Sequence, residues 1–314
     1  ATTQKPRAVL DAIQHYYWWD NANIHRGAHT LAHRSTLNYE AARAAVQQFI
    51  HAAHPEEIIF TSGTTDAINL VASTYGRKNL QPGDEIIIPV SEHHSNIVPW
   101  QIVAEERGAV IRVLPILEDG HWDLDAFSQM LSERTKIVAC NHISNALGTV
   151  NPVAQVVQMA HAAGAVVLVD GAQSIAHQSI DVQRIDCDFF CFSAHKMYGP
   201  TGTGVLYGKR ALLEEMPPYR GGGEMIRSVS FQGTTYNDLP FKFEAGTPHI
   251  EGVIGLGESI RFMQSVGVSY MHDREQELLA HCTQQLLGID GLRIYGTSAQ
   301  KSAVISFTVE GVHH

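Results

Sequence analysis

Lys196 is the residue whose setting most invites chemistry. It lies in Phe192-Ser193-Ala194-His195-Lys196-Met197-Tyr198-Gly199-Pro200-Thr201-Gly202, after an apolar strand-like run and before a glycine-rich turn. That position is the carboxyl edge of a sheet, where open α/β folds bind ligands. A lysine in a crowded, partly dry pocket sheds its proton and can form an imine with an aldehyde. Taken singly, a lysine is a solvated surface cation; its neighbours argue otherwise. In Val166-Val167-Leu168-Val169-Asp170-Gly171-Ala172-Gln173 an apolar strand ends in a carboxylate. An Asp there can pair with a protonated pyridine nitrogen and keep the ring an electron sink, and Gln173 is in reach of a phenolic oxygen on the same ring. An isolated Asp after a strand is more often a turn former.

Thr61-Ser62-Gly63-Thr64-Thr65-Asp66-Ala67 follows a strand and opens a helix. Gly63 allows close backbone approach, and free N–H groups with the Thr64 and Thr65 hydroxyls would hold a phosphate, although Ser and Thr cap helices everywhere. In Ser91-Glu92-His93-His94-Ser95-Asn96, an imidazole at the sheet edge can stack on a ring and take part in proton transfer; among 18 histidines, a merely packed one is an even alternative. Two other chemistries are excluded. A phosphate loop at Gly208-Lys209 would need glycine at 203 and Ser or Thr at 210, where Thr203 and Arg210 stand. For a metal there is neither His-Glu-x-x-His nor a Cys-x-x-Cys pair.

The elements that must position these residues alternate. Strands are expected at 58–61, 85–89, 110–114, 137–142, 166–170, 189–193 and 205–207, with helices at 64–75, 96–107, 123–131 and 153–163 between them. Short apolar runs of this kind read as strands buried on both faces, and the alternation predicts βαβ units throughout on a mostly parallel sheet. A loop-rich stretch over 217–248, with Gly221-Gly222-Gly223, precedes a long helical segment over 250–287 and a last strand at 303–309. The expected division is a large domain over 1–264 and the start of a smaller α+β domain over 265–314.

Together these segments resemble the fold-type I, class V aminotransferase-like enzymes of pyridoxal 5′-phosphate, and more closely the type II cysteine desulfurases of the SufS/CsdA kind. The marks are Thr61 to Thr65, Glu92-His93-His94 through Val98-Pro99-Trp100, Ser144-Asn145 with Gly148-Thr149-Val150, Asp170 to Gln173, Ser193 to Lys196 and Glu244-Ala245-Gly246-Thr247-Pro248. The resemblance implies that Lys196 holds the cofactor, His93 stacks on its ring, Asp170 binds the pyridine nitrogen and Gln173 the phenolic oxygen. It implies phosphate ligands at Thr65, Ser193 and His195, with Thr64 beside them and Thr247 supplied by the second subunit of a homodimer. His25, in Asn23-Ile24-His25-Arg26-Gly27, and Asn145 match substrate-side positions. The implied reaction takes sulfur from L-cysteine, leaving L-alanine and an enzyme persulfide for a sulfur-acceptor protein, as in iron-sulfur cluster assembly; L-selenocysteine is a substrate such enzymes often share. Other class V activities (aminotransferase, lyase, epimerase) would keep the same cofactor residues, and a non-catalytic binding protein would not need them.

Composition narrows the setting. A chain of 314 residues, 44% hydrophobic and 17% charged, can bury a large core. No apolar run approaches the roughly 20 residues of a membrane helix, and a net charge of −10 without a basic block argues against nucleic acid or an anionic membrane. Cys140, Cys187, Cys191 and Cys282 are irregularly spaced, which fits a reducing cytoplasm better than a disulfide framework. A start at Ala1 and an end at Gly311-Val312-His313-His314, directly after a strand-like run, read as a piece of a longer protein. The resemblance places the nucleophilic cysteine and a carboxylate-binding arginine beyond His314.

Overall fold

A computed structural model of the protein describes residues 2–313. From the amino end, α1 (Arg7–His15) and α2 (Thr30–Phe49) lead to β1 (Ile58–Thr61), α3 (Thr64–Val71) and the single turn α4 (Arg77–Asn79). Next come β2 (Glu85–Pro89), α5 (Val98–Arg107), β3 (Val110–Leu114), α6 (Leu124–Met130), β4 (Thr135–Asn141), α7 (Val153–Ala162) and β5 (Val166–Asp170). They are followed by α8 (Val182–Ile185), β6 (Phe189–Ser193), β7 (Gly204–Gly208), α9 (Arg210–Glu215), β8 (Ile226–Ser230) and β9 (Gly233–Tyr236). The chain ends with α10 (Ile250–Val266), α11 (Val268–Leu287), β10 (Leu292–Tyr295) and β11 (Ser306–Val309). Two compact units result, one of Ala1–Asn79 with Ile180–Ser265, the other of Leu80–Ser179 with Val266–His314.

The second unit carries four parallel strands in the order β5–β4–β2–β3. β2 and β4 are buried almost throughout, as is β5 after Val166. β-Branched residues such as Ile86, Ile87 and Val167 suit strands covered on both faces. β3 is the exposed member, and its Arg112 pairs with Glu85 of β2 at 2.9 Å. Local signals set the helix ends: the Asp123 side chain accepts from Ala126 N at the start of α6, and Gly108, at φ 69°, stops α5 in the left-handed conformation. A separate antiparallel pair, β10–β11, closes the chain.

In the first unit the order is β1–β7–β6, and both pairings are antiparallel. Here the expected βαβ rhythm fails. A parallel return needs a crossover of about a dozen residues or more, and the 194–203 connection holds one short 3-10 turn instead of a crossover helix, so β7 runs back beside β6. Two further expectations are corrected. The 217–248 stretch contains the β8–β9 hairpin, which the sequence hides because its residues are exposed on both faces apart from half-buried Ile226. The helical segment over 250–287 is broken at Gly267, whose φ of 95° no helix accommodates.

One contact fixes the start of α3. A Cβ on Gly204 of β7 would lie 2.4 Å from Gly63 Cα, and Gly63 itself has φ 150°. The two backbones meet with no room for a side chain. Gly204→Ala should therefore cost about 2–3 kcal/mol in urea unfolding, whereas Gly221→Ala, with nothing within 4 Å of its added methyl, should stay within about 0.5 kcal/mol.

Candidate functional site

In the first unit, Thr64, Thr65, Ser193 and His195 line one cavity of about 330 Å³ with Gly63 and Thr2. β1 and β6 end at Thr61 and Ser193, and the buried Ser193 hydroxyl receives the Thr64 N–H at 2.8 Å and bonds the Thr64 hydroxyl at 2.8 Å. That ties the first turn of α3 to the end of β6. The N–H groups of a helix's first turn lack intrahelical acceptors and carry the positive end of its dipole, and exposed Thr65 stands in that turn. Ser62 N donates to the Asp66 carboxylate at 3.0 Å, and Asp66 is itself neutralised by Arg220 at 2.5 Å. Glycine backbones, the hydroxyls of Thr64, Thr65 and Ser193, an imidazole and a helix start suit a phosphate.

Lys196 follows at once, half-buried at the end of the 3-10 turn Ala194–Lys196. Burial, then the charges of Lys196 and Lys5, lower the His195 pKa. Thr247 does not line this cavity. It sits, exposed, on a neighbouring one of about 190 Å³ that shares Ser62, Asp66 and Gly202 with the first. His25 lies apart from both, its Nε2 3.0 Å from the Glu40 carboxylate and its ring edge-on to Tyr39 and Phe241. Its backbone, at φ 63°, occupies a region that a non-glycine residue rarely adopts.

The motif residue Glu244 is held by a partner that the motifs do not announce. Arg43 of α2 is 1% exposed and its guanidinium bonds both Glu244 oxygens, at 2.8 and 2.9 Å, Glu40 at 2.8 Å and the Ile58 carbonyl at 2.7 Å. Phe60 N donates to Glu244 as well, at 2.8 Å. Burial opposes ionisation of Glu40, but the His25 hydrogen bond and the Arg43 charge outweigh it and hold the carboxyl at about 2. A signal existed: Arg43 sits four residues after Tyr39 on the buried stripe of α2 that also holds Ala32, Ser35, Ala42 and Val46.

The second unit contains His93, Asn145, Asp170 and Gln173. Asp170 ends β5, 6% exposed, with one carboxylate oxygen accepting from Ala172 N at 2.8 Å. Gln173 is half-buried three residues on, and Asn145 is exposed in the turn after β4. His93 is exposed after β2, and its Nδ1 accepts from Ser95 N at 3.1 Å. An accepting Nδ1 leaves Nε2 as the ring nitrogen available to donate. The loop is anchored by buried Glu92, whose carboxyl accepts from Asn141 N of β4 at 2.6 Å and from Asn96 Nδ2 at 2.9 Å. Trp100 Nε1 bonds Asn96 in turn, at 3.0 Å. Burial, and the negative charge of Asp170, push the Glu92 carboxyl well above its usual range.

Of the cysteines, Cys140, Cys187 and Cys191 are buried and Cys282, on α11, is exposed. Burial drives the Cys187 thiol far up, away from thiolate character. Among the described residues no group of three or more His, Cys, Asp or Glu could hold a metal, and no helix is long and apolar enough to cross a membrane.

Residues 1–314 match the family model described as aminotransferase class-V. The chain belongs to that family. It is 51% identical to the cysteine desulfurase of Dickeya dadantii, over all of this chain and 76% of that protein. It is equally similar, at 51%, to the cysteine desulfurase of Synechococcus elongatus, over 99% of this chain but half of the longer relative. Among solved structures, the cysteine desulfurase CsdA of Escherichia coli superposes with a TM-score of 0.93 at 43% identity, over all of this chain and 78% of that one. An apo cysteine desulfurase of Thermococcus onnurineus NA1 gives 0.96 at 36% identity, over 99% and 78%. The mostly parallel, helix-flanked sheet expected from the sequence is thus the fold-type I arrangement of this family.

His142, just after β4, is buried and its N–H pairs with the Asp170 carbonyl at 2.9 Å. Burial lowers its imidazole to about 4 from 6.5. The unfolded chain therefore binds a proton that the folded one refuses, so this contribution is complete above pH 6.5 and is lost as pH falls from 6.5 towards 4. Between pH 7 and 4, wild type should lose about 3 kcal/mol more stability than His142→Gln in denaturant titrations.

Proposed function

We propose that this chain carries the cofactor site of a pyridoxal 5′-phosphate-dependent cysteine desulfurase, which converts L-cysteine to L-alanine and passes the sulfur to an enzyme cysteine as a persulfide. The observation that carries the reading is the cradle in which the Thr64–Ser193 hydrogen bonds and the Gly63–Gly204 approach shape a cavity lined by hydroxyls and an imidazole immediately before Lys196. Its support is the 51% identity to proteins that bear the cysteine desulfurase name. The residues present fit the cofactor: donors for its phosphate, a lysine for its aldehyde and a buried strand-end carboxylate for its ring nitrogen.

When bound, pyridoxal 5′-phosphate supplies the electron sink for negative charge at the substrate's Cα. Thr64, Thr65, Ser193 and His195 bind the phosphate. Lys196 Nζ would hold the aldehyde carbon until the substrate amine displaces it and would then be free to carry the Cα proton, Asp170 would keep the ring nitrogen protonated and Gln173 would address the phenolic oxygen. His93 would lie against the ring, with Nε2 the nitrogen left to donate because Nδ1 accepts from Ser95 N. His25 and Asn145 face the substrate. Thr247 completes the phosphate site of the second subunit in a homodimer, which accounts for its exposure away from the cradle. Residues 265–314 open the smaller domain. In this reading the sulfur passes to an acceptor protein in the cytoplasm, for iron-sulfur cluster assembly or a related pathway, with L-selenocysteine as a candidate second substrate.

Borohydride reduction of the protein with bound cofactor, followed by peptide mapping, should place the label on Lys196; a label on another lysine sinks the assignment. With a thiol reductant present to discharge the persulfide, equal release of alanine and sulfide from L-cysteine supports the desulfurase, and a keto-acid product would put an aminotransferase in its place. Asp170→Ala should weaken cofactor binding about tenfold to a hundredfold, as expected for a charge-assisted bond, and Gln173→Ala about fivefold. Equal or reversed losses in equilibrium titration would remove Asp170 from the ring nitrogen.

A further inference from the structure

Residues 2–5 are folded over the turn that bears His195 and Lys196. Thr3 N and Thr3 Oγ1 donate to the His195 carbonyl at 3.0 and 3.1 Å, and Lys5 Nζ reaches the same oxygen at 3.3 Å. The Thr3 hydroxyl also accepts from Tyr198 N at 2.8 Å. That bond satisfies the N–H of a residue held at φ 68°, a conformation costly for a non-glycine side chain. Thr2 Oγ1 bonds His195 Nδ1 at 2.9 Å, and Thr2 lines the same cavity as Thr64, Thr65 and Ser193. Lys5 is tied further to the Thr3 carbonyl at 2.7 Å.

A carbonyl that gathers three donors from one segment is more than a loop end packed down. The bonds act on both parts of His195. Thr3 and Lys5 fix its backbone, and Thr2 engages Nδ1, which leaves Nε2 as the ring nitrogen to meet an anion. The Lys5 ammonium, near enough to lower the His195 pKa, adds positive charge to the same place.

We propose that Thr2, Thr3 and Lys5 are positioning residues for phosphate recognition, holding His195 so that its ring serves the cradle. The inference rests on the reading of that cradle as a phosphate site. The test compares two probes, pyridoxal 5′-phosphate and pyridoxal, which differ only in the phosphate. Dissociation constants are measured by absorbance titration of the full chain.

Thr3→Val removes one hydroxyl and both of its bonds. It should weaken pyridoxal 5′-phosphate binding about fivefold or more while changing pyridoxal binding by less than about twofold, and Thr3→Ser should restore the wild-type value. Thr2→Val should give the same selective loss, with a changed ¹⁵N shift pattern for the His195 ring in the apo protein. Lys5→Met should act likewise. Unchanged affinity for pyridoxal 5′-phosphate in Thr3→Val overturns the proposal. So does an equal loss for both probes, because a strap that only stabilises the fold would not discriminate. Should Thr3→Val fail to fold, Thr2→Val, which touches only the ring, decides by the same criterion. Failure of the phosphate reading itself has a different signature: the wild type would then bind both probes equally.

Discussion

The first unit depends on one buried cation. Arg43 is removed from water in a helix and would be intolerable there alone, since an unpaired buried charge costs several kcal/mol. It is tolerated because Glu244 and Glu40 neutralise it and the Ile58 carbonyl takes a further donor. The arrangement gains little over a packed apolar core in stability. What it provides is registry: α2, β1 and the 244–248 segment meet at a single guanidinium whose planar fork admits one geometry. His25 hangs from the same group through Glu40. Displacing Arg43 would therefore disturb His25, which reaches it through Glu40, together with the 244–248 segment, which Glu244 bonds to it directly.

The second unit solves a related problem without a cation. Glu92 is buried among donors, the Asn141 backbone and the Asn96 amide, and Trp100 orients Asn96. Amides satisfy the carboxyl where an arginine does so in the first unit. The effect is again positional, because the loop that carries His93 is bonded to β4, the strand paired with the one that ends in Asp170. Network and site residue are consecutive in sequence here, Glu92 and His93, which is why the motif could be read as a unit.

Strand cores and glycine turns were legible in the sequence because they depend on local pattern: Ile58–Thr61, Glu85–Pro89, Val110–Leu114, Val166–Asp170 and Phe189–Ser193 lie where the apolar runs put them. The cradle residues were legible for the same reason, each being adjacent to a strand end. What escaped is what depends on pairing between distant segments. The antiparallel course of β7 follows from the length of a connection, not from its composition. Gly204 carries no local mark of the Gly63 backbone that packs against it. Arg43, Thr2, Thr3 and Lys5 belong to no motif, because partners that define them lie in distant stretches of the chain, 193 residues away for the Thr2–His195 pair.

The distribution of thiols has a consequence for any chemistry that counts sulfur on this protein. Three of the four cysteines are sealed in the interior and one stands exposed on α11. Alkylating or persulfide-trapping reagents will find Cys282 in the folded state and the other three only when the molecule opens. The interior thiols thus keep a record of unfolding. Cys282 is a fixed background, one equivalent per chain, against which sulfur carried on any other accessible thiol must be measured, and replacing it by serine would leave the folded surface silent.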